Sequence, residues 1–182
     1  MNPEPDEAAI RRILSGERQA FGKLYDRYKD SVYRYCLRLV ADDATAQDAM
    51  QNTFVKALES IATLDSPRAF RFWLFRIARN EVYAHFRRVK SNGQVSIDQH
   101  AEEVWDTPTP LELTSSKELV LLVQWAMERL KVEYREVLVL REYEQLSYQE
   151  IAAVMGDSES SVKSRIFKAR KALTTILEPY MK

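Results

Sequence analysis

From about residue 7 to residue 90, apolar side chains recur every three or four positions, with polar residues filling the gaps. Phe21, Leu24, Tyr25, Tyr28, Val32, Cys36 and Leu39 set the rhythm, which is that of one buried helical face. Asp42 and Asp43 interrupt it and offer an N-cap for a next helix carrying Ala46, Ala49, Met50, Thr53, Phe54, Ala57 and Leu58. Leu64-Asp65-Ser66-Pro67 interrupts again: Pro67 disfavours helical geometry at Ser66 but suits a first helical turn. Phe70, Trp73, Leu74, Ile77, Ala78 and Val82 then mark a fourth helix.

The periodicity lapses near Ser91. Up to about Ser115 the chain holds Ser91-Asn92-Gly93, Pro108 and Pro110, and its charges are Asp98, Glu102, Glu103, Asp106 and Glu112, with no Lys or Arg. A stretch of that length exceeds ordinary loops within a domain. Helical rhythm resumes at Lys117 with Leu119, Leu122, Val123, Ala126, Met127 and Leu130. The expected fold is all-α: two small helical domains, 1–90 and 116–182, joined by a flexible acidic linker, 91–115.

Composition adds exclusions. Lys plus Arg and Asp plus Glu number 27 each, so total charge names no partner. A single cysteine, Cys36, excludes an internal disulfide framework and a multi-cysteine zinc site. No apolar run approaches the roughly 20 residues that span a bilayer, and the acidic start, MNPEPDEAAIRRIL, lacks a signal peptide's apolar stretch. The expectation is a cytoplasmic protein without membrane insertion. His85 and His100 are the only histidines and no Gly-rich phosphate loop occurs, so no catalytic group, metal ligand or cofactor is nominated. A site built from carboxylates alone stays open, although no spacing points to one.

The segment Leu146 to Leu173 reads as a helix-turn-helix. Ser147-Tyr148-Gln149-Glu150 fits a capping box, Ile151, Ala152, Val154 and Met155 pack inward, and Gly156 supplies a left-handed helix end. Ser158 caps the next helix, whose Val162, Ile166, Ala169 and Leu173 form its buried stripe. Its polar side carries Ser160, Lys163, Ser164, Arg165, Lys168, Arg170 and Lys171. In a DNA-binding helix-turn-helix the second helix enters the major groove; short serines permit close approach, and Lys163, Arg165 and Lys168 have the length to reach bases or phosphates. A plain helical hairpin with a basic solvent face gives the same pattern.

The fourth helix is basic as well, with Arg68, Arg71, Arg76, Arg79, Arg87, Arg88 and Lys90 against Glu81, and Phe70, Phe72, Trp73, Phe75, Tyr83 and Phe86 interleaved. Such a mixture attracts phosphate and can stack on unpaired bases. Trp73 shares a stripe with Leu74 and Ile77 and reads as core. Arg87, Arg88 and Lys90 also suit a helix C-terminus on electrostatic grounds alone.

The wording of these segments resembles extracytoplasmic-function sigma factors of bacterial RNA polymerase. Arg135-Glu136-Val137-Leu138, Leu146-Ser147-Tyr148-Gln149-Glu150-Ile151-Ala152, Ser161-Val162-Lys163-Ser164-Arg165 and Ala169-Arg170-Lys171-Ala172-Leu173 are similar to region 4, which binds the upstream (−35) promoter element. Phe21-Gly22-Lys23-Leu24-Tyr25 with Tyr28 resembles the start of region 2. The stretch Asp43 to Phe54 resembles the part of region 2 that docks on the clamp helices of the largest polymerase subunit. Trp73 to Asn80, ending in Arg87-Arg88, resembles the part that reads and melts the downstream (−10) element.

The resemblance implies core RNA polymerase and promoter DNA as partners, with an inhibitory anti-sigma factor, which many members possess, as a further one. It assigns DNA contact to Ser160, Ser161, Lys163, Ser164, Arg165 and Lys168 and to Asn80, Tyr83, Arg87 and Arg88, and polymerase contact to Asp48, Gln51 and Asn52. It also places a flipped-base pocket in the loop with Asp65, Ser66, Pro67 and Arg68, where the residues alone are equally consistent with a plain turn, and passes the acidic tether near the polymerase active centre. Two positions depart from the pattern: Asn52 stands where an acidic residue is common, and Ala84, before His85, where Asp is common. A helix-turn-helix regulator that never joins the polymerase is the competing reading. It leaves the region 2 resemblance without an explanation.

Overall fold

The computed structural model describes residues 5–91 and 116–181, with side chains in the second stretch from residue 118 onward, and every described element is helical. The expected tether, including its five acidic residues, His100, Pro108 and Pro110, lies outside the described residues. Ser91, expected to open the tether, is instead the last residue of a helix.

In the N-terminal half, α1 (Asp6–Leu14), α2 (Phe21–Val40), α3 (Asp43–Ser60) and α4 (Phe70–Ser91) form a bundle. Local chemistry explains the breaks. Ala41 takes a left-handed conformation, with φ of 56°, and closes α2. Asp42 caps α3 by accepting from the Thr45 backbone N–H at 2.8 Å, which holds its carboxyl below the usual range. Ser66 is extended and Pro67 opens a short 3-10 turn, Pro67–Ala69, that leads into α4. The core is built from Val32, Tyr35, Cys36 and Leu39 of α2, Phe54 and Ala57 of α3, and Trp73, Leu74, Phe75, Ala78 and Val82 of α4. Tyr35 meets Phe75 edge to face at 5.3 Å between ring centres. α1 adds Ala9, Ile10 and Ile13 to this core and is further fastened by Asp6, which accepts from Arg27 and Tyr28, and by the Glu7–Arg68 pair at 3.1 Å.

The C-terminal half comprises α5 (Ser116–Glu128), α6 (Val132–Leu138), a π-helical turn (Val139–Tyr143), α7 (Tyr148–Met155) and α8 (Glu159–Leu177). Leu122, Ala126, Leu130, Val137, Leu140, Leu146, Ile151, Val162 and Ile166 are buried there. Leu119, expected on the buried face of α5, is exposed together with Val120 and Leu121. The helical rhythm was read correctly along α5, but its first turn has no neighbouring element to cover it among the described residues.

The two halves touch. α7 packs on α4, and α6 with the π turn packs on α2. Arg135, 6% exposed, bridges them: it donates to the Met127 carbonyl at 2.9 Å and to that of Leu130 at 3.2 Å, and reaches the carbonyls of Arg38 and Leu39 at the end of α2 at 3.3 and 3.4 Å. A cation placed there satisfies terminal carbonyls of two helices at once.

Candidate nucleic-acid interface

α7 and α8 are joined as their sequence predicts. Ser147 accepts from the Glu150 N–H at 3.2 Å, while the Glu150 carboxylate accepts from the Ser147 N–H at 2.7 Å, completing the capping box. Gly156 ends α7 with φ of 67°, a conformation that strains any residue with a Cβ. Ser158 caps α8 by accepting from the Ser161 N–H at 3.1 Å. With Val162, Ile166 and Ala169 buried, Ser160, Lys163, Ser164 and Lys168 are turned to solvent along one face of α8.

Two further residues of the expected set are used inside the motif. Ser161 donates its hydroxyl to Asp157 Oδ2 at 2.7 Å, and Arg165 places Nη2 2.9 Å from the same oxygen and Nη1 3.6 Å from Met155 Sδ. These contacts hold the Asp157 carboxyl below the usual range, the Ser161 bond first among the causes. Arg165 therefore braces the turn rather than extending freely from it. Lys163 makes a solvent-exposed pair with Glu159 at 2.7 Å, one turn back on the same helix. Phe167 was absent from the expected set, yet it is 72% exposed on the face of Lys163 and Ser164. Its position four residues after Lys163 was the available signal.

In α4 the interleaved aromatics are mainly core: Phe70, Trp73, Phe75 and Phe86 are buried, and Phe72 packs against them. The cations do not share one face either. Arg68 pairs with Glu7, Arg71 lies against Glu144, and Arg79 Nε is 2.9 Å from Glu136 Oε1, whereas Arg76, Asn80, Arg87, Arg88 and Lys90 are exposed. Tyr83 is half-buried and donates to Glu136 Oε2 at 2.7 Å; burial first, then Glu136, pushes its hydroxyl pKa up. Sequence reasoning did not foresee that Arg71, Arg79 and Tyr83 face the other half of the chain. In the loop before α4, Asp65 and Arg68 are exposed and Ser66 and Pro67 are half-buried.

On α3, burial of Ala49, Thr53, Phe54 and Ala57 leaves Asp48, Gln51 and Asn52 exposed together. Val55, 55% exposed, continues the same strip and was not in the expected set. Lys56, on the flank, reaches the buried Glu81 of α4 at 2.5 Å.

An α2–α4 bundle followed by a helix-turn-helix on a separate helical unit is the architecture of a promoter-recognition subunit. The sequence matches the family model for Sigma-70 region 2 over residues 24–92 and that for Sigma-70, region 4 over residues 121–173. The chain belongs to the extracytoplasmic-function group of RNA polymerase sigma factors. It is similar to the RNA polymerase sigma-H factor of Pseudomonas aeruginosa, 31% identical over 190 residues that span 100% of this chain and 98% of the relative. It is likewise similar to the factor SigW of Bacillus subtilis, 31% identical over 90% of this chain and 92% of that one. BldN of Streptomyces coelicolor is 37% identical across 92% of this chain, which spans 64% of BldN's length. Among solved structures, CnrH in complex with the cytosolic domain of CnrY superposes with a TM-score of 0.71 at 26% identity, covering 97% of this chain and 99% of that one. The sigma factor RpoE of Bartonella quintana, in complex with the anti-sigma factor NepR, shares the fold with a TM-score of 0.68 at 24% identity, covering 87% and 96%. No helix of the described residues is long and apolar enough to cross a membrane.

Proposed function

We propose that this chain joins core RNA polymerase in the cytoplasm, directs it to promoters, and performs no catalysis of its own. The observation that carries the reading is the pairing of a fully formed helix-turn-helix, with Ser160, Lys163, Ser164 and Lys168 presented along α8, with a separate bundle that exposes Asp48, Gln51 and Asn52 on α3. The working units are residues 1–90 and 116–182, with 91–115 between them. α8 enters the major groove of the upstream element, where its first turns read base edges and Lys168 holds phosphate. The α3 strip docks on the clamp helices of the largest polymerase subunit, and Asn52 makes that contact one charge weaker than an acidic residue would. The end of α4, with Asn80, Arg87 and Arg88, engages the downstream element as it opens. An anti-sigma factor is a further partner, in keeping with the complexes known for CnrH and RpoE.

The test is reconstitution. Core polymerase plus the purified chain, incubated with fragmented genomic DNA and nucleotides, should give discrete new transcript starts that share upstream and downstream elements. Binding to duplex DNA with no association with core polymerase would identify a conventional regulator instead.

A further inference from the structure

A cavity of about 430 Å³ lies between the C-terminal end of α2 and the side chains of α5 and the π turn. Small-molecule sites span roughly 300–1,000 Å³ and combine an apolar lining with a few convergent polar groups. Here Leu37, Ala41 and Met127 supply the apolar lining. The polar groups divide by charge: Arg34 and Arg38 come from α2, Gln124 and Glu128 from α5.

The two α2 cations are not spent inside the protein. Arg34 is exposed and has no hydrogen-bond or ion-pair partner among the described residues. Arg38 is half-buried, and its guanidinium lies over the Tyr143 ring, 4.0 Å from the ring centre. Four positions apart, the two are neighbours on one helix face, where like charges repel unless an anion lies between them. Arg135, which also reaches the cavity, is committed elsewhere: it donates to the carbonyls of Met127, Leu130, Arg38 and Leu39. Adjacent guanidinium groups, one braced on an aromatic ring, are suited to linked phosphates, which they bind bidentately.

The α5 side selects the other end of an occupant. The Glu128 carboxylate repels an anion, so phosphate belongs at the α2 side. Together with the Gln124 amide oxygen, Glu128 accepts hydrogen bonds from a group that carries N–H. The apolar lining suits a planar ring between the two ends.

We propose that this cavity binds a nucleoside diphosphate whose base carries an amino group. Arg34 and Arg38 hold the phosphates, and Glu128 and Gln124 accept from the amino group. These residues lie outside the α8, α4 and α3 positions proposed to meet DNA and polymerase, so the nucleotide acts as an effector that touches α2 and α5 at once.

The test is calorimetric titration of the full chain with ADP in magnesium-free buffer, with IDP, adenosine and pyrophosphate as comparisons. ADP should bind saturably at one site. IDP, which presents a carbonyl oxygen where ADP has the amino group, should bind about tenfold more weakly, and so should adenosine and pyrophosphate, which each fill one end alone. Arg34→Gln alters an exposed side chain and should weaken ADP binding about tenfold with circular dichroism unchanged. Arg76→Gln removes an equal charge from an exposed position of α4 and should leave ADP binding as it was. No saturable binding of ADP at millimolar concentration, or equal losses in the Arg34 and Arg76 variants, overturns the site. Pyrophosphate binding as tightly as ADP overturns the nucleoside, and IDP binding as tightly as ADP overturns the role of Glu128 and Gln124.

Discussion

Arg165 in α8 and Asp157 in the turn before it form an ion pair at 2.9 Å, each side chain about a quarter exposed. The pair fastens the recognition helix to the turn that aims it, and it separates two kinds of cation on α8. Lys168 is exposed, whereas Arg165 spends its guanidinium inside the motif. Arg165→Ala should therefore lower the urea midpoint of unfolding and loosen the motif. Lys168→Ala should leave stability within about 0.5 kcal/mol of the parent and reduce the salt slope of upstream-duplex binding by about one. Equal stability in the two variants would return Arg165 to the groove.

Asp157 makes the same turn sensitive to acid. Its carboxyl is held below the usual range by Ser161, the Ser158 N–H and Arg165, so the stability it contributes is present above the unfolded carboxylate value of ~3.9 and is lost as pH falls through the lowered one. Glu136 acts in the opposite sense. Burial raises its pKa, and its contribution declines as pH rises from the unfolded value through the raised one. The urea midpoint of Asp157→Asn, followed from pH 6 down to pH 2, should accordingly fall less steeply than that of the parent at the acid end. Parallel curves would show that the turn is held by packing alone.

These relationships differ in how far the sequence reveals them. The Ser147–Glu150 box, the Gly156 turn and the Asp42 cap involve residues within a few positions of one another, so the rules that place them are local, and the caps and bounds of α7 and α8 were legible although the exposed Phe167 and the Arg165–Asp157 pair were not. The contacts between the two halves were not legible. Tyr35 and Glu136 are 101 residues apart, and Ser31 and Glu144 are 113 apart, so no periodicity connects them. For the same reason the basic α4 read as one continuous phosphate-attracting surface, although the partners of Arg71 and Arg79 lie in the other half of the chain. The aromatic positions of α4 misled in a simpler way. Phe70, Trp73, Phe75 and Phe86 fit the spacing of a buried stripe as well as that of a stacking surface, and the core took them.

Cys36 offers a probe of global opening. Its thiol is fully buried in α2 and is pushed up to about 12 by burial. Against the ~8.5 of a free thiol, that leaves on the order of a thousandfold less thiolate at pH 8. Alkylation should be correspondingly slow in the native chain and should accelerate in step with unfolding in urea. Rapid reaction without denaturant would mean that α2 leaves the bundle on its own.

The α3 strip makes a prediction about assembly. Asp48 and Gln51 are exposed beside the buried Ala49 and Phe54, so replacing them changes a surface and leaves the core alone. Asp48→Arg with Gln51→Ala places a cation where an interface expects an acid, which adds repulsion as well as removing attraction. Co-purification with core polymerase should fall by on the order of tenfold or more, with the helical circular dichroism unchanged. Full retention on core polymerase would move the docking surface elsewhere.

The division of labour between the halves gives the most demanding test. Val82 and Phe86 are buried, which fixes the rotation of the last turns of α4 and directs Arg87 and Arg88 to solvent. Neither arginine is among the α4 residues Arg71, Arg79 and Tyr83 that contact Glu144 and Glu136 of the C-terminal half, so replacing both with Ala changes charge at the α4 end and leaves those contacts in place. Two charge-assisted backbone contacts of about 1.5–3 kcal/mol each would be lost only where DNA reaches that end of the helix. Open-complex formation should therefore drop by on the order of tenfold or more, while affinity for an isolated upstream duplex, which engages α8, should stay as it was. Permanganate reactivity of unpaired thymines, measured with reconstituted polymerase at matched promoter occupancy, reports melting directly. Undiminished thymine reactivity in the double variant would remove Arg87 and Arg88 from melting and leave them as complements to the helix C-terminus. A parallel loss of upstream-duplex binding would show instead that the two halves do not act on separate stretches of DNA.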